Sequence, residues 1–147
     1  MQTQRYSFAD NIISILGTPI TGFDDGDDVV KLTPNAPLSD VTVGANGDVV
    51  FSDGADESYK VEMALLQTAP INAFLWSIVR NQRLPGVPQI ALTLSIVDMY
   101  SRTRFTGTGG RIVEAPETTL GKKAKNRVWK FHFSRGTPSE VAGAALV

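Results

Sequence analysis

Alternation of apolar and polar residues is the feature that most constrains how this chain can fold. In residues 58–66, 89–99 and 127–134, every second side chain is apolar and the residues between are mostly small or polar. Because successive side chains of a β-strand point to opposite faces, each segment predicts a strand with one apolar face and one polar face. Further strands are predicted at residues 11–16, 29–33, 41–44, 48–52, 102–106 and 111–114.

Turn signals join several of these strands. Asn46-Gly47, between two short β-prone segments, is a strong signal for a β-hairpin. The glycine-rich residues 107–110 resemble a phosphate-binding loop, but no Gly-Lys-Ser/Thr sequence follows them. A tight hairpin turn between residues 102–106 and 111–114 is the favoured interpretation.

One segment has the helical period instead. Its apolar residues recur at intervals of three and four, which predicts a helix over about residues 70–82 that packs through one face. Thr68 is predicted to cap its start, and Pro85-Gly86 lies beyond its end. The predicted packing face comprises Ile71, Phe74, Leu75, Ile78 and Val79. The expected fold class is α+β and mostly β, an antiparallel barrel- or sandwich-like subunit with one flanking helix.

Length and composition favour one domain over residues 1–147. The 147 residues include no cysteine, which excludes disulfides and thiolate metal sites. The first ten residues lack the apolar core of a signal peptide, and no apolar run approaches the ~20 residues of a membrane helix. Residues 136–147 are small and weakly patterned, which favours a flexible C-terminal arm.

No residue pattern predicts catalysis, a metal site or a cofactor site. The single histidine, His132, lies in a predicted strand without a recognisable nucleophile motif, and a structural role is favoured. The aspartates at 24, 25, 27 and 28 lack the spacing of a calcium loop. They are interpreted as a solvated loop, with a contact for a basic partner and a cation site as alternatives.

Charge is divided between the two parts of the chain. Residues 1–60 carry three basic and ten acidic residues, whereas residues 61–147 carry eleven basic and five acidic ones. The acidic part of one copy can therefore meet the basic part of another. A ring of copies would also remove the exposed strand edges that a half-polar sheet presents. Self-assembly through strands is the function that these residues favour.

Two stretches resemble the tail tube proteins of contractile-tailed bacteriophages. They are Val43-Gly44-Ala45-Asn46-Gly47, before a strand, and Leu65-Leu66-Gln67-Thr68-Ala69-Pro70-Ile71-Asn72, which opens the helix. Residues 6–10 and the late strand RVWKFHF are also similar. The resemblance covers roughly the whole chain, and its best motif is Thr68-Ala69-Pro70-Ile71-Asn72.

The resemblance implies a non-enzymatic virion protein without a cofactor, assembled in the host cytoplasm into stacked, hexameric rings. The bore would hold tape measure protein and DNA transiently and conduct the genome into the host during ejection. The partners implied are other copies of the chain, the tail sheath, the baseplate and the tail terminator, with no membrane contact. Alternatives are a related component with the tube fold (baseplate, terminator or secretion-system inner tube) and a soluble β-barrel that binds a ligand.

Alternation and charge then indicate which residues face the bore and which join rings. A bore of modest or negative charge would repel DNA phosphates and let DNA pass. The residues expected to line it are Asp40, Asp48, Lys60, Glu62, Thr93 and Ser95. The residues expected in contacts between rings are Asp24, Asp25, Asp27, Asp28, Arg102, Arg104, Lys122, Lys123 and Lys125.

Overall fold

The computed structural model describes residues 8, 11–26, 28–86, 88–98, 103–123 and 125–140. Nine strands and one α-helix occur in these ranges. They are β1 Asn11–Ile15, β2 Thr18–Pro19, β3 Val30–Pro34, β4 Ser39–Val43, β5 Val49–Asp53, β6 Tyr59–Leu65, α1 Ile71–Arg83, β7 Leu92–Asp98, β8 Thr103–Glu114 and β9 Arg127–Glu140.

Seven strands form one antiparallel sheet in the order β2-β1-β7-β8-β9-β6-β3. In the described part of the chain this sheet stays open, with β2 and β3 at its two edges. The segment after β2 crosses from one edge towards the other, because Phe23 pairs with Leu65 at the end of β6. Among the described strands, β4 and β5 pair only with each other, as a separate hairpin. The predicted mostly-β fold with one flanking helix is confirmed.

The core lies between one sheet face and α1. Trp129, Phe131 and Phe133 on β9 are fully buried, and so are Val61 and Met63 on β6. The residues between them on both strands are more exposed, so the alternation predicted for these segments is confirmed. Aromatic rings of this size bury large apolar areas and dominate the stabilisation of a core.

α1 covers the apolar face with the predicted side chains. Ile71, Leu75, Ile78 and Val79 are buried in the core cluster, and Phe74 packs against it half-buried. The predicted cap at Thr68 is wrong: Pro70 is the N-cap residue, and no side chain caps the helix. The amide of Asn72 instead donates to main-chain carbonyls of the preceding loop, at 2.9 Å from Leu66 and 3.1 Å from Ala69.

Gln82 joins the end of α1 to the sheet. β7 begins at Leu92, opposite Gly110 of β8, so Ile112 has no β7 residue beside it. The Gln82 side chain takes that place: its Nε2 donates to the Ile112 carbonyl at 3.0 Å, and its Oε1 accepts from the Ile112 N–H at 2.9 Å. One side-chain amide therefore satisfies both main-chain groups that the start of β7 leaves open.

The glycine-rich residues 107–110 do not turn the chain. The predicted tight turn is wrong, because β8 runs without interruption from Thr103 to Glu114. A Cβ at Gly107 would lie 2.9 Å from Cδ1 of Phe133, and one at Gly110 would overlap the same ring. These glycines therefore make room for an aromatic side chain of β9 rather than for a change of chain direction.

β9 is longer than predicted. Residues 136–140, where the C-terminal arm was expected to begin, pair with β8, and Arg104 lies opposite Ser139. The rest of that arm, residues 141–147, lies outside the described residues. The division of the chain into one domain and an arm stays a prediction.

Candidate assembly surfaces

The sheet face opposite the core, here called the outer face, carries four of the residues predicted to line a bore. Lys60 and Glu62 lie on β6, and Thr93 and Ser95 lie on β7, each between neighbours that are buried or, for Tyr59, half-buried. β8 and β9 separate these two pairs in the sheet. The structure therefore places all four on one face but does not bring the two pairs together.

Charged side chains of opposite sign are interleaved on this face. Lys130 of β9 lies between two carboxylates, 3.0 Å from Glu114 and 4.0 Å from Glu62, and Glu62 is also 3.5 Å from Lys60. The hydrogen bond with Glu114 raises the pKa of Lys130. His132 is exposed and lies opposite Lys60 on one side and Arg111 on the other.

The β4–β5 hairpin carries the other two predicted bore residues, Asp40 and Asp48, away from the large sheet. Its register places Val41 opposite Phe51 and Val43 opposite Val49, so these four side chains share one face. All four are at least half exposed, and Phe51 reaches 69%. An isolated two-stranded hairpin is marginally stable in water, so this apolar face is suited to packing against another surface.

The acidic loop and the lysine loop lie at the same end of the subunit. Asn126, which follows Lys122, Lys123 and Lys125 in the β8–β9 connection, donates to a carboxylate oxygen of Asp24 at 3.0 Å. Arg104 lies near the opposite end of β9 from this contact. Of the other residues predicted to join rings, Asp25 and Asp28 are exposed, whereas Asp27 and Arg102 lie outside the described residues.

The sequence analysis assigned a role to the aspartates of the hairpin and missed its apolar face. The signal was present, because Val41, Val43, Val49 and Phe51 alternate on both sides of the Asn46-Gly47 turn. It also missed three arginines on and beside the last turns of α1: Arg80, Arg83 and Arg111. The signal there was the lack of any aspartate or glutamate in residues 63–97.

Two further observations concern metal binding and membrane insertion. Within the described ranges, no group of three or more histidine, aspartate or glutamate side chains is arranged to hold a metal ion. In the same ranges, no helix is long and apolar enough to cross a membrane.

Comparison with known proteins places the chain among tube proteins. The family model described as the bacteriophage PhiTE tail tube protein matches residues 3–137. No curated protein sequence matches the chain significantly.

Three solved structures share the fold. The sheath/tube terminator of the extracellular contractile injection system PVC, in its extended state, matches with a TM-score of 0.64 at 10% identity, covering 93% of this chain and 98% of that one. The tube-terminating cap of the anti-feeding prophage gives a TM-score of 0.62 at 7% identity, covering 96% and 95%. The extended PVC sheath–tube complex contains a chain with a TM-score of 0.60 at 11% identity, covering 93% of each.

Proposed function

Because the chain belongs to the bacteriophage PhiTE tail tube family, we propose that it is a subunit of a phage tail tube. Copies form hexameric rings that stack, and the bore conducts the genome during ejection. The protein acts by assembly and not by catalysis. It resides in the tail of the virion and is assembled in the host cytoplasm.

The unpartnered apolar face of the β4–β5 hairpin is the observation that carries this proposal. Val41, Val43, Val49 and Phe51 present four exposed side chains on strands that pair only with each other. Burying exposed apolar surface contributes roughly 25 cal/mol per Å². In a tube, the neighbours of each subunit are other copies of the same chain. Rings of identical subunits therefore repeat the contact at every position.

The outer face of the sheet is the proposed lining of the bore. Lys60, Glu62, Thr93 and Ser95 lie on it, and its carboxylates are close to lysines of the same face. These internal ion pairs leave fewer free cations to hold DNA phosphates, which favours passage over binding. The core face is already covered by α1.

The proposed partners follow from the family and from the structures that share the fold. Those structures come from a sheath–tube complex and from tube terminators. We therefore propose the tail sheath outside the tube and a terminator and baseplate at its ends. Tape measure protein and DNA occupy the bore transiently.

Electron microscopy of the purified protein tests this function. We expect the wild-type chain to form rings or hollow tubes, and Phe51→Ser to prevent them while the monomer stays folded. Leu120→Ser is the matched control, because Leu120 is another largely exposed apolar side chain, in the β8–β9 connection. A wild-type protein that stays monomeric at high concentration would contradict the proposal.

A tube terminator is the second candidate, favoured by the two terminator structures that share the fold. A terminator forms the last ring and does not continue the tube. The same micrographs separate the two functions: long tubes support a tube subunit, whereas single rings that never stack support a terminator.

A further inference from the structure

The hairpin is acidic as well as apolar. Between Lys31 and Lys60 the chain carries no basic residue, and the hairpin itself contains Asp40, Asp48 and Asp53. Asp53 accepts a hydrogen bond from Ser39 Oγ at 2.8 Å. By register, Asp40 projects from the face opposite the apolar one, and Asp48 lies beside the turn. A surface that receives the hairpin therefore needs apolar side chains together with cations that have no carboxylate of their own.

Such a surface lies where the end of α1 meets β8. A cavity of about 180 Å³ is lined by Arg83, Arg111 and the Gln82 amide together with apolar side chains, and no carboxylate lines it. Arg80 is exposed on the same helix, one turn before Arg83. Among the described residues, none of these three arginines forms an ion pair, whereas Lys60, Lys130 and Arg135 do.

The surroundings of these arginines are also apolar, and the exposed carboxylate that follows them on β8, Glu114, is paired with Lys130 at 3.0 Å. Val113 in the cavity wall and Leu84 after the helix are each about half exposed. From residue 63 to residue 113 the chain contains a single acidic residue, Asp98, and it is buried. This surface therefore meets both requirements of the hairpin, apolar contact and unopposed positive charge. We call it the arginine patch, and it comprises Arg80, Arg83, Leu84, Arg111 and Val113.

The lysine loop meets only part of the requirement. Lys122, Lys123 and Lys125 have the right sign of charge, but Asn126 beside them is hydrogen-bonded to Asp24 of the acidic loop. An acidic hairpin that approached these lysines would also approach the aspartates of that loop. Repulsion between like charges disfavours that contact.

We propose that the β4–β5 hairpin of one copy docks on the arginine patch of a second copy. The hairpin leaves the sheet beside β3 and β6, whereas the arginine patch lies across β9 from them, between β8 and α1. The two surfaces differ, so the contact is heterologous and each copy offers one of each, which allows assembly to continue from copy to copy. The inference depends on the proposed self-assembly. It places Asp53, which shares the apolar face, and Asp48, beside the turn, in this contact, so Asp48 would not lie in the bore.

Charge exchange tests the contact with the full-length protein. We expect R83E/R111E to raise the concentration needed for assembly by at least about tenfold, because opposite charges across an interface become like charges. D48R/D53R has the same effect from the other side, and a chain that carries all four substitutions assembles again. Sedimentation velocity and electron microscopy measure assembly, and the melting temperature of each monomer confirms folding. R83Q/R111Q removes the charge without reversing it, and it replaces R83E/R111E in this experiment if the glutamate variant does not fold.

The control for the pairing is K122E/K123E, which makes the same change of charge on the lysine loop, and we expect D48R/D53R not to restore any assembly that it loses. Wild-type assembly by R83E/R111E, or the lack of restored assembly in the fourfold variant, would overturn the contact. So would a loss of assembly in K122E/K123E with no loss in R83E/R111E. Wild-type protein that stays monomeric would instead overturn the proposed function, and the contact with it.

Discussion

The large sheet and the β4–β5 hairpin are built from the same sequence pattern and end in opposite environments. On β9 the alternating apolar residues Trp129, Phe131 and Phe133 are fully buried under α1. On the hairpin, Val43 is 63% exposed and Phe51 is 69% exposed. The alternation is equally regular in both, but among the described elements only the apolar face of the sheet is covered, by α1.

The difference shows that periodicity predicts a strand and its apolar face but not what covers that face. A monomeric protein seldom leaves such a patch open unless the patch has a partner. The sheet therefore accounts for the stability of the subunit, and the hairpin is the surface that we propose for association. Substitutions in the two regions should separate these two properties.

The largest effect on stability is expected in the sheet. Phe131→Ala removes a fully buried ring and should lower the free energy of unfolding by ~3–5 kcal/mol. Phe51→Ala, the same change on the hairpin, should lower that of the monomer by less than ~0.5 kcal/mol. Urea denaturation at a concentration below that needed for assembly measures both. Equal losses would show that the hairpin belongs to the folding unit of the sheet.

The glycines of β8 give the next largest effect. In Gly110→Ala the new methyl group overlaps the Phe133 ring, and overpacking of this kind should cost up to ~3 kcal/mol. Gly121→Ala is the control, because a Cβ at that position meets no atom within 4 Å. Thermal unfolding followed by circular dichroism compares the two. An unchanged melting temperature for Gly110→Ala would contradict the close contact between β8 and β9.

Loss of the Gln82 side chain should have a smaller effect. Gln82→Ala leaves the N–H and C=O groups of Ile112 without these partners, and we expect a loss of ~1–2 kcal/mol. Gln89→Ala removes a single exposed hydrogen bond, to the main chain of Gln82, and should cost less than ~0.5 kcal/mol. Hydrogen exchange at the Ile112 amide reports the contact directly. Protection that persists in Gln82→Ala would show that another group covers this amide.

The smallest effect concerns Asp56, at the junction between hairpin and sheet. Hydrogen bonds from Ser58, by its hydroxyl at 2.6 Å and its N–H at 2.9 Å, lower the pKa of Asp56 below its usual 3.8. A carboxyl whose folded pKa is lowered stabilises the fold above its unfolded pKa and loses that contribution as pH falls through the folded value. Asp56→Asn should therefore be slightly less stable than wild type at pH 7, with the difference disappearing in strong acid.

Unfolding at pH 7 and pH 3 measures that difference. Asp28→Asn is the control, because Asp28 is exposed on the acidic loop and none of the hydrogen bonds to Ser58 involves it. A difference between Asp56→Asn and wild type that is the same at both pH values would show that the carboxylate charge has no part in the effect.

Local patterns in the sequence account for most of the fold. The alternation of residues 58–66 and 127–134, the Asn46-Gly47 turn and the apolar stripe of α1 all appear where predicted. The error at the glycine-rich segment arose because a contact distant in sequence decides the structure there. Gly107 and Gly110 signal a turn by composition, but they are glycines because Phe133 packs on them.

The assembly surfaces were less predictable for the same reason. Charge composition showed an acidic and a basic part of the chain, but not that the acidic loop and Asn126 meet at one end of a single subunit. The exchange of two hydrogen bonds between Gln82 and Ile112 has no local signature, because it depends on where β7 begins. The proposed residues of the bore and of the contacts between rings stay predictions.

The strand order also bears on when the sheet of the subunit can be completed. β6 pairs with β9, and β1 pairs with β7, so strands from the first half of the chain pair with strands that are synthesised much later. Pairing between segments so distant in sequence is slow compared with local structure. The hairpin is made early, but β6, the strand that follows it, gains β9 as its neighbour only near the end of synthesis. Translation itself therefore delays completion of the sheet until β9 has been made.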